Sequence, residues 1–250
     1  MLVKSMKIIN YKKKTKNTYE VTLSNNESVI LYEDIIFKYE LLLKKEITKN
    51  ELDKAKKENE NYFIYYEALK YITKKMRTEK EIRTKFKEYN SISVDYAIDR
   101  LKQEKYINND IYIKSYINDI INLKLDGPLK IKSNLNKLGF TDIEINSYLD
   151  TIENDIWTTK INKIITKEIN INKKYSSYLL KNKIQTKLIN LGYPKELINS
   201  ELNNYNFIDN QDIYIKEKEK AIKKYSKKYS GYELEMKVKN YLYQKGFREM

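Results

Sequence analysis

Three arginines are the first candidates for binding a charged group. Lys and Arg together number 49, but only four of these residues are Arg. Arg77, Arg83 and Arg100 therefore place a planar guanidinium, which can grip a carboxylate or phosphate through two parallel hydrogen bonds, in a background of Lys. We expect these three residues to contact an anionic partner. The alternative is a local ion pair with a Glu of the same helix.

Lysines supply three further candidate groups. Two groups lie on equivalent helices of a repeated unit, and the third is a dense run near the C-terminus. They are Lys130, Lys132 and Lys137; Lys181, Lys183 and Lys187; and Lys223, Lys224, Lys227 and Lys228. Each group could bind phosphate or an acidic protein surface. A solvated helix face is the competing interpretation.

Few residues in the chain could perform catalysis. It contains no Cys and no His, which excludes disulfides, thiol nucleophiles, Cys/His zinc sites and the commonest general base. The five glycines are isolated from one another, so none opens a phosphate-binding loop. We therefore expect a protein that is not an enzyme and has no cofactor. A nuclease with a metal site made of carboxylates alone stays open as an alternative, because such a cluster is invisible in sequence.

The net charge of +14 predicts attraction to polyanions, chiefly nucleic acid. The abundance of Lys, Asn, Ile and Tyr also fits the compositional drift of an AT-rich genome, so charge alone leaves both interpretations open. No apolar run approaches the ~20 residues needed to cross a bilayer, and residues 1–10 lack the apolar core of a signal peptide. We expect a cytoplasmic protein that does not bind membranes.

Helices must position most of these side chains. A charged fraction of 34% and only 5 Gly and 2 Pro favour helices joined by short connections over a many-stranded sheet. The N-terminal region differs, because Met6–Tyr11, Thr18–Leu23 and Ser28–Tyr32 are short β-rich runs that predict a three-stranded meander. Thr48 and Glu51 then have the spacing of a capping box, which predicts a long helix running through Tyr71.

A repeated helix ending organises the rest of the chain. A Leu-rich turn followed by Gly and an aromatic residue occurs at Gly139-Phe140, Gly192-Tyr193 and Gly246-Phe247, about 50 residues apart, with a degenerate first copy at Tyr89-Asn90. Gly, or Asn in the first copy, can take the left-handed conformation that ends a helix. A third helix then restarts in each complete unit, and the predicted start signals are Ser93, Thr141 with Glu144, and Pro194.

Four motifs follow one another between residues 66 and 140. Tyr66-Glu67-Ala68-Leu69 precedes Arg77-Thr78-Glu79-Lys80-Glu81-Ile82, in which Thr78 and Glu81 predict another capping box. Tyr106-Ile107-Asn108-Asn109-Asp110 comes next, and then Gly127-Pro128 with Ile131, Leu135 and Gly139-Phe140. In this order they resemble the Tyr-x-Ala-Leu, Arg-Ser/Thr-x-x-Glu-Leu, Gly-Tyr-Leu/Ile-Asp-Asp and Gly-Pro motifs of the RecX family, with Lys105 in place of the junction Gly. The resemblance covers residues 62–250.

The resemblance implies a mainly α protein of tandem three-helix repeats that form an elongated, curved array, with a small N-terminal β-rich segment. We expect the meander and a short helix in residues 1–50, and helical repeats in 51–108, with the long lead-in helix, in 109–156 and in 157–208. A truncated repeat that lacks its third helix would occupy 209–250.

The resemblance also implies a function. RecX proteins regulate the RecA recombinase, so this chain would bind the RecA filament in its helical groove on single-stranded DNA, as a monomer. It would inhibit or modulate the ATPase, strand exchange and filament growth, and bind double-stranded DNA more weakly. The alternative is a general helical DNA-binding or architectural protein with no recombinase partner.

Overall fold

A four-stranded antiparallel sheet forms the N-terminal part of the computed structural model, which describes residues 5–172 and 174–248. The strands are β1 (Ser5–Lys13), β2 (Thr18–Leu23), β3 (Ser28–Tyr32) and β4 (Glu46–Thr48), in the order β3-β2-β1-β4. The three predicted strands are confirmed. The fourth was missed because its three residues are too few to show an alternating pattern, and it is recruited by pairing with β1.

One long helix takes part in two hydrophobic cores. Helices α1 (Glu33–Lys38) and α2 (Leu41–Lys44) pack with the sheet, and α3 (Lys49–Ile72) follows. Leu52 and Ala55 near the start of α3 are buried with the sheet residues, whereas Ile64, Ala68 and Ile72 belong to the next core. The predicted capping box is confirmed, since the Thr48 N–H donates to the Glu51 carboxylate at 2.9 Å and the Glu51 N–H donates to the Thr48 hydroxyl at 3.2 Å.

Helices α4 (Glu79–Lys85) and α5 (Ser91–Gln103) complete the second core of this region. The Thr78–Glu81 capping box is confirmed at the start of α4. The expectation that Asn90 ends a helix in the left-handed region is wrong, because its φ is −58° and its side chain accepts the Ile92 N–H as the N-cap of α5. The predicted start at Ser93 is wrong for the same reason, since the side chain of Asn90 caps the helix and α5 begins at Ser91, two residues before the predicted start.

Eight further helices follow among the described residues. They are α6 (Asn109–Leu123), α7 (Pro128–Lys137), α8 (Asp142–Leu149), α9 (Asn154–Ile171), α10 (Ser177–Asn190), α11 (Lys195–Asn203), α12 (Gln211–Tyr225) and α13 (Gly231–Gln244). The chain divides into two compact units, one ending at Tyr112 and the other starting at Ile113, within α6. The boundaries between individual repeats stay predictions. No helix in the described part of the chain is both long enough and apolar enough to cross a bilayer.

The predicted glycine caps are confirmed in three copies. Gly139, Gly192 and Gly246 have φ values of 102°, 83° and 83°, in the left-handed region that glycine tolerates best. In each copy the N–H of the next aromatic residue donates to the carbonyl five residues earlier, from Phe140 to Leu135, from Tyr193 to Leu188 and from Phe247 to Leu242. Lys105, which stands where the RecX-type junction has Gly, also has a positive φ, of 63°.

The other two predicted helix starts differ in outcome. Thr141 and Glu144 form the expected reciprocal capping box at the start of α8. Pro194 lies one residue ahead of its predicted place in the first turn, because α11 begins at Lys195 and Pro194 is its N-cap.

The glycine caps also join helices of the second unit that are not consecutive in the chain. At the start of α7, the Gly127 N–H donates to the Leu191 carbonyl at 2.6 Å, and the Leu129 N–H donates to the Gly192 carbonyl at 3.0 Å. The Tyr193 hydroxyl donates to the Leu125 carbonyl at 3.0 Å. The start of α7 therefore rests on the end of α10 through backbone atoms.

A similar junction, made by a side chain, joins the start of α10 to the end of α13. The Ser176 hydroxyl, at the N-cap of α10, donates to the Lys245 carbonyl at the end of α13, at 2.8 Å. A Cβ on Gly246 would lie 2.5 Å from the Ser176 Oγ. In both junctions the start of one helix lies so close to the glycine cap of the other that a Cβ on that glycine would clash with it.

Candidate partner and nucleic-acid interface

Two of the candidate arginines, Arg77 and Arg83, pair with carboxylates in the first turn of α4. Arg77 donates to Glu81 at 2.9 Å, and its guanidinium lies 4.2 Å from the centre of the Tyr71 ring. Arg83 pairs with Glu79 at 2.8 Å and with Asp95 of α5 at 2.6 Å. The hydrogen bond to Asp95 and that to Glu79 raise the pKa of Arg83. Arg83 therefore fastens α5 to α4.

Arg100 lies between aromatic rings and carboxylates. Its guanidinium is 4.0 Å from the centre of the Tyr65 ring, its Nε donates to Glu104 at 3.0 Å, and its Nη1 is 3.5 Å from Asp34. Burial alone would lower the pKa of Arg100, but the hydrogen bond to Glu104 and the nearby negative charges outweigh it, so the pKa is raised. The Tyr65 hydroxyl donates to the same Glu104, at 2.6 Å.

All three arginines therefore form ion pairs within the first unit. Each has at least one intramolecular carboxylate, and two also lie against tyrosine rings, as guanidinium groups commonly do. This geometry favours the local ion-pair interpretation, and a role in contacting a partner stays a prediction.

The lysines of α7 differ in how they are held. Lys130 pairs with Asp126 at 2.8 Å, and Lys132 pairs with Asp142 of α8 at 3.0 Å. Hydrogen bonds from Asn136 and from Lys132 lower the pKa of Asp142. Lys137 is exposed at the end of α7.

The lysines of α10 make different contacts. Lys187 pairs with the buried carboxylate of Glu168 at 2.6 Å, and Lys183 lies 4.5 Å from the centre of the Tyr175 ring. The Lys181 Nζ is 3.5 Å from the Asn203 side-chain oxygen. Aligning the caps Gly139 and Gly192 matches Lys130 with Lys183 but pairs no other lysines, so the two sets are on equivalent helices without being equivalent position by position.

Lys223, Lys224, Lys227 and Lys228, here called the C-terminal lysine cluster, lie at the end of α12 and in the following turn, and all four are exposed. Lys224 is 4.9 Å from the centre of the Tyr225 ring. Among the described residues, no carboxylate forms an ion pair with any of the four. Of the predicted site residues, this cluster is the most available to an anion.

Two basic residues that the sequence interpretation did not single out also make defined contacts. The Arg248 guanidinium lies 3.8 Å from the centre of the Tyr178 ring and 5.1 Å from that of Tyr243. Because Arg is scarce in this chain, the sequence alone could have marked Arg248 as a candidate as well. The Lys160 Nζ donates to the carbonyl of Lys124 at 2.6 Å, and burial lowers the pKa of Lys160. Nothing in the local sequence pattern distinguishes Lys160 from other lysines.

Within residues 5–172 and 174–248, no three or more Asp and Glu side chains are grouped so that they could hold a metal ion.

Comparison with known proteins gives a consistent result. Regulatory protein RecX of Streptococcus agalactiae serotype Ia is 30% identical over 253 residues, which cover 97% of this chain and 95% of the relative. Regulatory protein RecX of Staphylococcus haemolyticus is 28% identical, over 92% of this chain and 91% of the relative. No protein-family model matches the chain.

Two solved structures also match. A crystal structure of regulatory protein RecX covers 79% of this chain and 99% of its own, with a TM-score of 0.69 and 21% identity, and it shows similarity of fold. The crystal structure of RecX from Lactobacillus salivarius covers 58% of this chain and 96% of its own, with a TM-score of 0.54 and 25% identity.

Proposed function

This chain belongs to the RecX family of regulatory proteins, and we propose that it regulates the RecA recombinase. It binds the RecA filament along its helical groove on single-stranded DNA, as a monomer, and inhibits the ATPase, strand exchange and filament growth. The observation that carries this proposal is the 30% sequence identity with a regulatory protein RecX, which extends over nearly the whole length of both chains.

Charge supports a partner of this kind. The groove of a nucleoprotein filament exposes DNA phosphates and acidic protein surface, and a chain with a net charge of +14 is attracted to both. The C-terminal lysine cluster contributes because its charges are exposed and lack carboxylate partners among the described residues. Such a surface accelerates encounter with the filament and makes binding depend on salt.

The test is the ATPase of RecA on single-stranded DNA, measured while the purified full-length protein is titrated into the reaction. We expect the rate to fall as the protein approaches the concentration of RecA. An unchanged rate at a large excess of the protein over RecA would refute the proposal. Protein denatured by heat and cooled provides the matched control for effects of added cationic polypeptide.

A second candidate function is favoured by the C-terminal lysine cluster alone. A general helical DNA-binding protein would use these charges on phosphates and need no recombinase. It predicts tight, salt-sensitive DNA binding together with an unchanged RecA ATPase. Reversing the four charges should then abolish DNA binding, whereas a RecA regulator would keep part of its inhibition through protein contacts.

A further inference from the structure

Helices α12 and α13 leave an open groove between them. Its volume is about 580 Å³, and its lining includes Tyr214, Lys218 and Ile222 of α12 and Glu235, Val238 and Lys239 of α13. Val238 on the floor is buried, but Ile222 on the wall is 40% exposed. A groove whose apolar wall stays exposed above a buried floor needs an explanation, because burying such a surface is what normally stabilises a helical repeat.

The α13 wall corresponds to a surface that is covered in the preceding helices. The caps Gly192-Tyr193 and Gly246-Phe247 have the same backbone hydrogen bonds, which fixes the register between α10 and α13. In that register Glu235 and Lys239 take the places of Lys181 and Gln185. Those two side chains contact the third helix, α11: Lys181 lies 3.5 Å from Asn203, and Gln185 donates to Asn199 at 3.0 Å.

The α12 wall corresponds to a covered surface as well. Tyr214, Lys218 and Ile222 lie four, eight and twelve residues after the N-cap Asn210. The same positions after Glu153, the N-cap of α9, are Trp157, Ile161 and Ile165, and their exposures are 4%, 0% and 0%. The adjacent Asn162 of α9 donates to Glu201 of α11 at 2.8 Å. The α13 wall of the groove therefore matches the surface of α10 that contacts α11, and the α12 wall matches a face of α9 that is buried beside a contact with α11.

In the part of the chain that the structure describes, no helix follows α13 to take this place. The groove is thus shaped for a third helix, and the packing of α11 indicates what such a helix looks like. Its buried residues Ile198 and Leu202 are spaced i and i+4, and the helix has nine residues.

The complete repeats also indicate the charge that a helix fitting this groove would carry. Each third helix brings a carboxylate to a side chain of the two helices before it: Asp95 to Arg83, Asp142 to Lys132, and Glu201 to Asn162. The open groove is bordered by the cations Lys218, Lys239 and Arg248, with Glu235 the single carboxylate among its lining residues. A helix with acidic residues beside its apolar stripe is complementary to this rim.

We propose that the α12–α13 groove binds a short acidic amphipathic helix supplied by the protein partner, with apolar residues at i and i+4, in the position that α11 takes in the preceding repeat. This inference rests on the proposed function, because the filament is the source of the helix. A second copy of the chain is disfavoured, since two chains of net charge +14 repel each other. DNA is disfavoured because phosphates gain nothing from the apolar floor.

Charge reversal at the rim provides the first test. The double variant Lys218→Glu/Lys239→Glu places two carboxylates against the acidic helix, and Lys167→Glu/Lys216→Glu makes the same change of net charge at exposed lysines outside the groove. The probe is the RecA filament on fluorescein-labelled single-stranded DNA, followed by anisotropy. We expect the groove variant to bind the filament about tenfold more weakly than the control. The reason is that the variant replaces one or two attractive interactions between exposed charges by repulsive ones.

Cross-linking identifies the occupant. Because the chain has no native Cys, Glu235→Cys gives a single attachment point for a benzophenone maleimide in the groove. Illumination with the filament should cross-link RecA, and mass spectrometry should map the bond to an acidic amphipathic helix. Cross-links only to a second copy of this chain, or only to DNA, would overturn the inference.

The two proposals fail differently. If the wild type binds and inhibits RecA while the groove variant and its control behave alike, the groove inference is wrong and the proposed function stands. If the wild type neither binds nor inhibits RecA, the proposed function is wrong and the inference falls with it. Circular dichroism spectra that match the wild type ensure that each variant is folded.

Discussion

Replacing Gly192 by Ala should damage the junction between α7 and α10. A Cβ at this position would lie 2.4 Å from the backbone nitrogen of Lys130 and 2.5 Å from its Cβ, so the two helices cannot keep their positions. Gly192 also has a φ of 83°, which disfavours any residue with a side chain. Two separate costs therefore act at one residue.

The chain offers a matched control in Gly231. Its φ of 54° is also in the left-handed region, but a Cβ there would meet no atom within 4 Å. Gly231→Ala therefore carries the backbone cost alone, about 1 kcal/mol. The difference between the two variants isolates the close approach of the helices.

The magnitude of the junction cost follows from its hydrogen bonds. Separating the helices breaks the bond from Gly127 to Leu191 and the bond from Leu129 to Gly192, each contributing about 1 kcal/mol. Together with the backbone cost, Gly192→Ala should lower the free energy of unfolding by about 3 kcal/mol, against about 1 kcal/mol for Gly231→Ala.

The assay is urea unfolding followed by tryptophan fluorescence. The chain has one Trp, and Trp157 is buried in α9, within the same unit as the junction. Equal losses of stability in the two variants would refute the reasoning, because they would mean that the backbone conformation alone matters and that the helices separate without cost.

Three further predictions concern charge and burial. Reversing the charges of the C-terminal lysine cluster should reduce the salt dependence of single-stranded DNA binding by about 0.7 in log–log slope for each lysine that contacts a phosphate, measured by anisotropy. Burial raises the pKa of Tyr193 from 10.0 to about 12. The buried neutral hydroxyl therefore contributes fully to stability below pH 10, and this contribution is lost as the pH rises toward 12. In Tyr193→Phe the free energy of unfolding, measured by urea titration, should fall less steeply over this pH range. Arg100→Lys should lower the free energy of unfolding of the first unit by about 1 kcal/mol, because an ammonium group cannot stack on Tyr65 as a guanidinium does. Scanning calorimetry measures this change.

The candidate binding residues differ in how far contacts within the chain leave them available to a partner. Arg83 and Arg100 hold helices of their own unit together, and Lys132 and Lys187 pair with carboxylates. The C-terminal lysine cluster and the groove beside it lie on adjoining parts of α12 and α13. Their effects are separable, because the cluster acts on phosphates through charge and the groove on a helix through shape and charge together.

Helix starts and ends could be predicted from the sequence because the interactions that fix them are local. In the capping boxes at Thr48 and Thr141 the partner is three residues away, and a glycine cap such as Gly192 closes on a carbonyl of its own helix. The order of these signals was also enough to indicate the family. Asn90 was misinterpreted because an Asn residue can end one helix or begin the next, and here its side chain caps the start of α5.

Contacts between distant residues needed the folded chain. The pairing of β4 with β1 joins Thr48 to Ser5, and the approach of Gly127 to Gly192 joins positions 65 apart; neither leaves a periodic pattern in the sequence. The partners of the arginines and the open groove depend likewise on which helix faces cover one another. Sequence spacing specifies each helix through neighbouring residues, whereas burial and ion pairing between helices are set by tertiary packing, since they depend on distances that local spacing does not encode.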